Sequence, residues 1–231
     1  MASPKPRRMI STDTNKEQIP VARSFSPALR IPAMIISYLL HPVFIPSLIT
    51  FMVYKLSPAS FAGLPPARFY QLLLSVFLLT AFFPIVATLL TKAVGFIESI
   101  HLHTAKDRII PLIGTMVFYF WAHHVAKNIN APFMLQLILL AAFWGVIAVF
   151  MINIFVKISM HTTGAGSLLG ILIILMFNSP VNMSIPFFIA LVVAGLIGTA
   201  RMILNAHLAR EIWLGYIIGI LVQVAAYFYL V

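Results

Sequence analysis

The stretch FMLQLILLAAFWGVIAVFMINIFV, residues 133–156, decides the fold class of this chain. It contains no Asp, Glu, Lys or Arg. As an α-helix that rises 1.5 Å per residue it extends about 36 Å, which exceeds the roughly 30 Å hydrocarbon thickness of a bilayer. We therefore predict that residues 133–156 cross a membrane as a helix.

Further apolar runs lie on both sides of this stretch. Hydrophobic residues make up 61% of the 231 and charged residues only 9%, which is too few charges for a soluble globular surface. The sequence therefore predicts an all-α fold, a polytopic transmembrane helix bundle of about seven spans. Prolines within residues 40–46 interrupt the first run, and the number is six if that run folds back without crossing. The remaining predicted spans are residues 31–55, 67–92, 109–127, 160–178, 184–204 and 211–231.

Residues 1–30 contain six Lys and Arg residues and no periodic apolar face. We expect a basic disordered N-terminal tail over residues 1–30 and one transmembrane helical domain over residues 31–231. The formal net charge is +10, but the basic residues lie in the tail and in short loops and not in a folded domain that could bind nucleic acid. We therefore expect the tail to bind anionic lipid headgroups. The chain has no Cys, which excludes disulfides and Cys-ligated metals.

Polar residues gather at one membrane face. A chain that crosses twice returns to the side it left, so the segments 98–111, 157–163 and 201–211 are predicted to lie together. Charges are costly inside a bilayer, and such a gathering indicates a watery pocket or an interfacial site, with simple loop solvation as the alternative. The acidic and histidine residues of these segments are Glu98, His101, His103, Asp107, His161, His207 and Glu211.

The spacing Arg201-x5-His207-x3-Glu211 is the pattern that carries chemistry. On a helix, His207 and Glu211 share a face, and the carboxylate can hold one ring N–H and leave the other nitrogen free to attack or to take a proton. The alternative is an incidental interfacial pair.

A second imidazole on the same face completes a possible reaction scheme. His161 follows Lys157 and Ser159 closely in sequence. One histidine can attack phosphorus while the other protonates the departing oxygen, and Arg108 with Arg201 can bind phosphoryl oxygens. This scheme requires no metal and no other cofactor.

These residues resemble the type 2 phosphatidic acid phosphatase superfamily, whose members share Lys-x6-Arg-Pro, Pro-Ser-Gly-His and Ser-Arg-x5-His-x3-Asp. The third signature is matched by Ala200 to Glu211, with Ala for Ser and Glu for Asp. In the second, Ser159 and His161 are in register, but Ile158 and Met160 replace Pro and Gly. In the first, Arg108 matches, the proline comes three residues later, and His101 occupies the lysine position.

The resemblance implies a role for each matching residue. His207 is the expected nucleophile that forms a phosphohistidine, Glu211 orients it, and His161 is the general acid. The expected phosphate ligands are Arg108, Arg201 and Ser159, with Lys106 or Lys157 as a substitute for the missing lysine.

We therefore expect a membrane-integral, metal-independent phosphatase that hydrolyses a membrane-dissolved isoprenoid or glycerolipid phosphate or diphosphate. One alternative is a catalytically inactive protein of the same fold that binds or transports lipid phosphates. Another, an ion or proton carrier, has less support because no acidic residue lies near the middle of a span.

Basic residues bear on orientation in the inner or plasma membrane. Lys and Arg are more frequent in the tail and on the motif face than on the opposite face. With seven spans, the positive-inside rule therefore places both in the cytoplasm, and we favour that orientation slightly. With six spans the site lies outside, as in many bacterial members of the family.

Overall fold

The computed structural model describes residues 25–96 and 105–231, and side chains from residue 108 onward in the second range. These residues form helices and connecting turns, without a β-strand in either range. The α-helices are α1 Pro27–Leu39, α2 Ile45–Leu56, α3 Pro66–Phe77, α4 Phe83–Ala93, α5 Ala105–Asn128, α6 Phe133–Phe155, α7 Met160–Asn178, α8 Ser184–Ile203 and α9 Ala209–Leu230.

Seven helical segments of the described chain are long and apolar enough to cross a membrane. The predicted all-α bundle is therefore confirmed, and the chain is an integral membrane protein. The segment Phe133–Phe155 agrees with the predicted span to within one residue. A long uncharged run that crosses a bilayer forms a helix, because a helix satisfies all its backbone hydrogen bonds within itself.

The first span is interrupted where the sequence predicts. α1 ends at Leu39, a short 3-10 helix covers Pro42–Phe44, and α2 follows. Pro42 and Pro46 have no backbone N–H, so a regular helix cannot continue through both positions. α1 packs chiefly against α8, whereas α2 contacts α3, α6 and α7. The first apolar run is therefore two elements with different neighbours.

α1 begins earlier than the boundary predicted for the disordered tail. Pro27–Arg30 belong to the first turn of α1, although residues 1–30 were predicted as tail. Pro27 occupies the first helical turn, where its missing N–H costs nothing, and the Ser26 carbonyl accepts from the N–H groups of Leu29 and Arg30. The rest of the predicted tail, residues 1–24, lies outside the described residues.

α7 and α9 pack closely at the centre of the bundle. Gly166 of α7 lies against the backbone of Tyr216, and Gly219 of α9 lies against the backbone of Thr163 and Ser167. A side chain at either position would hold the helices apart, so this close contact between backbones requires glycine. This contact fixes the start of α7 beside the start of α9.

Contacts between helix ends show which helices run in the same direction. At one end, Ser57 Oγ after α2 lies 3.3 Å from Ser179 Oγ after α7, and Tyr227 donates to Asn178 Oδ1 at 2.7 Å. At the other end, the Ser159 N–H donates to the Glu211 carbonyl at 3.3 Å. α2 therefore runs between the two ends in the same direction as α7.

Candidate functional site

His207 and Glu211 form the predicted pair. His207 Nδ1 lies 2.7 Å from Glu211 Oε2. A carboxylate can only accept a hydrogen bond, so Nδ1 carries the proton and donates the bond. The lone pair of Nε2 therefore remains available. Glu211 Oε2 also accepts from the Leu208 N–H at 3.4 Å, which orders the start of α9 around the carboxylate.

His207 and Glu211 do not lie within one helix, which differs from the prediction based on their spacing. α8 ends at Ile203, and Asn205 adopts a left-handed conformation with φ of 51°, which Asn tolerates better than most residues. His207 therefore lies in the turn before α9, and Glu211 lies in the first turn of α9. The carboxylate reaches back across the helix start to the imidazole.

The imidazole of His207 is neutral. Its side chain is only 4% exposed. Burial, followed by the positive charges of Arg201 and Lys157, lowers the pKa of His207 from 6.5 to about 3. Nε2 of His207 is therefore an unprotonated nitrogen at physiological pH, as a nucleophile requires.

His161 lies at the start of α7 and is 8% exposed. Its Nε2 lies 3.0 Å from the carbonyl oxygen of Ser37, near the end of α1. A carbonyl only accepts, so Nε2–H donates and fixes the ring orientation. Nδ1 is the nitrogen that remains for a ligand.

Arg108 and Arg201 come from α5 and α8 to the same cavity. Arg108 Nη1 donates to Asn153 Oδ1 and to the Ile158 carbonyl, both at 3.4 Å. Arg201 Nη1 donates to Ser37 Oγ at 3.3 Å. The segments predicted to share a face therefore meet at Arg108, His161, Arg201 and Glu211.

The other predicted ligands behave differently from these arginines. Ser159 is fully buried, does not line the cavity, and accepts from the Thr162 N–H at 3.4 Å as the N-cap of α7. Its hydroxyl is therefore placed to stabilise the helix rather than to bind a ligand. Lys157 lines the cavity, and its Nζ donates to the Ala206 carbonyl at 2.9 Å. Lys106 lies outside the residues whose side chains are described, as do Glu98, His101, His103 and Asp107.

A cavity of about 740 Å³ connects this site with the apolar interior. We call its charged part the polar end, which is lined by His41, Arg108, Lys157, His161, Arg201 and His207. Below the polar end the walls are mainly aliphatic, and they include Ile45, Ile49, Leu112, Ile138, Val146 and Val149.

Sequence reasoning missed three residues of the polar end and its supports. Ser37 contacts both His161 and Arg201, Asn153 accepts from Arg108, and the rings of His41 and His161 lie 5.3 Å apart. The one signal in the sequence is His41 beside Pro42, and this position by itself predicts only a break in a span. Ser37 and Asn153 lie inside apolar runs, where nothing local marks them.

No family model, no curated protein sequence and no solved structure matches this chain. The function is therefore inferred from the residues and the cavity themselves.

Proposed function

We propose that this protein is a membrane-integral, metal-independent phosphatase that hydrolyses a lipid phosphate or diphosphate through a phosphohistidine intermediate. The observation that carries the proposal is the pairing of Glu211 with His207, which lines one cavity together with Arg108 and Arg201. A neutral nucleophile, an orienting carboxylate and two cations are the groups that phosphoryl transfer to a histidine needs.

The first step forms a bond between His207 Nε2 and phosphorus. The bond from phosphorus to the lipid oxygen breaks, and this oxygen takes a proton from Nδ1 of His161, which receives that proton from a protonated oxygen of the substrate phosphate on binding. The imidazolium of phosphorylated His207 keeps its Nδ1–H on Glu211, whose negative charge stabilises it. The Ser37 carbonyl holds His161 in the orientation that the proton transfer requires.

The second step releases phosphate. Water attacks phosphorus, the bond from phosphorus to His207 Nε2 breaks, and Nδ1 of His161 takes a proton from the water. The departing phosphate takes this proton from Nδ1 of His161, and both imidazoles return to their starting states. Arg108 and Arg201 bind phosphoryl oxygens in both steps, where their positive charge matches the charge of the transition state.

The form of the cavity supports a lipid as the substrate. Its polar end fits a phosphate, and its aliphatic walls fit a hydrocarbon chain. Cavity-lining side chains that are also exposed on the apolar exterior come from α1, at Met34 and Tyr38, and from α4, at Ile85 and Leu89. A lipid can therefore enter sideways from the bilayer between α1 and α4.

The test is phosphate release by purified protein in detergent, over a panel of prenyl and glycerolipid phosphates and diphosphates, with a chelator present. We expect His207→Ala to lower the rate at least about 1,000-fold, because the nucleophile is lost. Glu211→Gln should lower it about 100- to 10,000-fold, because an amide does not hold the required tautomer. The matched control is His124→Ala, which removes a histidine at the opposite end of α5 and should retain full activity.

The contrary results are equally specific. Release that the chelator abolishes would contradict the metal-independent mechanism. Wild-type protein that binds lipid phosphate but releases no more phosphate than His207→Ala would favour the binding or transport function instead.

We further propose the inner or plasma membrane as the location, with the polar end toward the cytoplasm.

A further inference from the structure

His41 is a third imidazole at the polar end, and the mechanism above does not use it. It lies in the turn between α1 and α2, about 120 residues from His161 in sequence. The two rings meet edge to face, with centroids 5.3 Å apart. His41 lines the same cavity as Arg201 and His207.

The turn fixes the protonation of His41. Its Nδ1 accepts from the backbone N–H of Val43 at 3.4 Å, as the N-cap of the 3-10 helix Pro42–Phe44. An accepting nitrogen carries no proton, so the ring is neutral and its proton is on Nε2. Nε2 makes no hydrogen bond within the described residues, and it is accessible rather than buried. His41 therefore presents an N–H to the cavity.

The three imidazoles of the polar end thus have three different states. His207 presents a lone pair at Nε2, and His161 has its Nε2–H engaged by the Ser37 carbonyl. His41 presents a donor. The same segment of the chain supplies Ser37, which holds both His161 and Arg201, so the position of His41 is tied to that of the reacting groups.

We propose that His41 Nε2–H donates a hydrogen bond to an oxygen of the phosphoryl group that His207 attacks. This proposal deepens the proposed function and rests on it for its catalytic part. No proton is transferred by His41, because a neutral imidazole is far too weak an acid. A neutral donor also suits this position, since Arg108, Arg201 and Lys157 already make the polar end strongly cationic.

Two variants separate this role from a structural one. His41→Asn keeps a side-chain oxygen that can accept from the Val43 N–H, since Asn is a favourable N-cap, but it is too short to replace Nε2. His41→Ala removes both the cap and the donor. The measurements are kcat and KM for a lipid phosphate, the inhibition constant of orthovanadate, and the melting temperature of each variant in detergent.

We expect both variants to lower kcat/KM about 10- to 100-fold, mostly through kcat, because one hydrogen bond to a charged phosphoryl group is lost. Orthovanadate, which resembles the pentacoordinate transition state, should bind about 10- to 100-fold more weakly to both. The melting temperature of His41→Asn should stay close to that of the wild type. A His41→Asn variant with wild-type kcat/KM and wild-type vanadate inhibition would overturn the proposal and leave His41 as a helix cap.

Failure of the proposed function gives a different result. If the wild-type protein releases no phosphate from any lipid, the enzymatic reading fails, and calorimetry with inorganic phosphate then tests His41 alone. Weaker phosphate binding by His41→Asn than by the wild type supports the donor role. Equal binding, or no binding by the wild type, overturns it.

Discussion

Arg201 has a buried Nε–H that finds no acceptor among the described residues. A buried donor without a partner costs about 1–3 kcal/mol. Arg108 is 7% exposed and lines the same cavity as Arg201. Two guanidinium groups held together repel each other, and an anion between them would relieve both the repulsion and the missing hydrogen bond. These two arginines therefore support the proposal that the polar end binds a phosphate.

His207 predicts how stability depends on pH. Its pKa is about 3 in the folded protein and about 6.5 when unfolded, because burial opposes the charged form. Between these values the unfolded chain binds a proton that the folded protein does not, so stability falls as pH falls from about 6.5 toward 3. At pH 5 the loss from this one residue is about 2 kcal/mol relative to pH 7.5.

The measurement is the free energy of unfolding in detergent at pH 7.5 and pH 5 for the wild type and for His207→Asn. We expect the variant to lose about 2 kcal/mol less than the wild type over this interval. An equal loss in both proteins would show that His207 is not held neutral in the folded state.

Among the helices, α7 and α9 position the groups that we propose to take part in the reaction. α7 carries His161 and α9 carries Glu211, and the Ser159 N–H joins the two helix starts through the Glu211 carbonyl. The close approach at Gly166 and Gly219 makes this possible. The spacing of small residues in these helices therefore contributes to the site as directly as the polar residues do.

Adding one methyl group tests this contact. Gly219→Ala would place a Cβ against the backbone of Thr163 and Ser167, which cannot move without shifting α7. We expect a loss of about 1–3 kcal/mol in stability and a fall in activity, because Glu211 moves away from the start of α7. Thermal unfolding and phosphate release are the measurements.

Gly195→Ala in α8 is the matched control. A Cβ there would meet no atom within 4 Å, and Ala is favoured over Gly in a helix by about 1 kcal/mol. Gly195→Ala should therefore leave both properties unchanged or raise stability slightly. Equal effects of the two substitutions would contradict the role of the α7 and α9 contact.

For the whole molecule, the polar end defines one face of the membrane protein. α5 runs from Arg108 at this end to Lys127 near its last turn, and Arg210 is exposed beside the site. The basic residues at the polar end outnumber those at the opposite end, which favours a cytoplasmic polar end.

The natural absence of Cys allows a direct test of this orientation. We expect a membrane-impermeant maleimide to label Lys127→Cys in intact cells and to label Arg210→Cys only after permeabilisation. The unsubstituted chain is the blank. The reverse pattern would place the polar end outside the cytoplasm and would make the substrate a lipid of the outer leaflet.

The amino-acid sequence alone is enough to predict the helical spans, the shared face of Arg108, His161, Arg201 and Glu211, and the pairing of His207 with Glu211. These features depend on local quantities: hydropathy over about 20 residues, the parity of crossings, and a spacing of four residues. The roles of these residues in catalysis remain predictions.

The rest of the polar end depends on how the helices pack in three dimensions. It brought Ser37 and His41 from the first broken span to His161, placed Ser159 as a helix cap, and joined the site to an aliphatic cavity. The physical reason is that hydropathy fixes where a helix crosses but not which helix it packs against. That choice depends on side-chain fit between segments more than 100 residues apart, and a pattern within one span does not contain it.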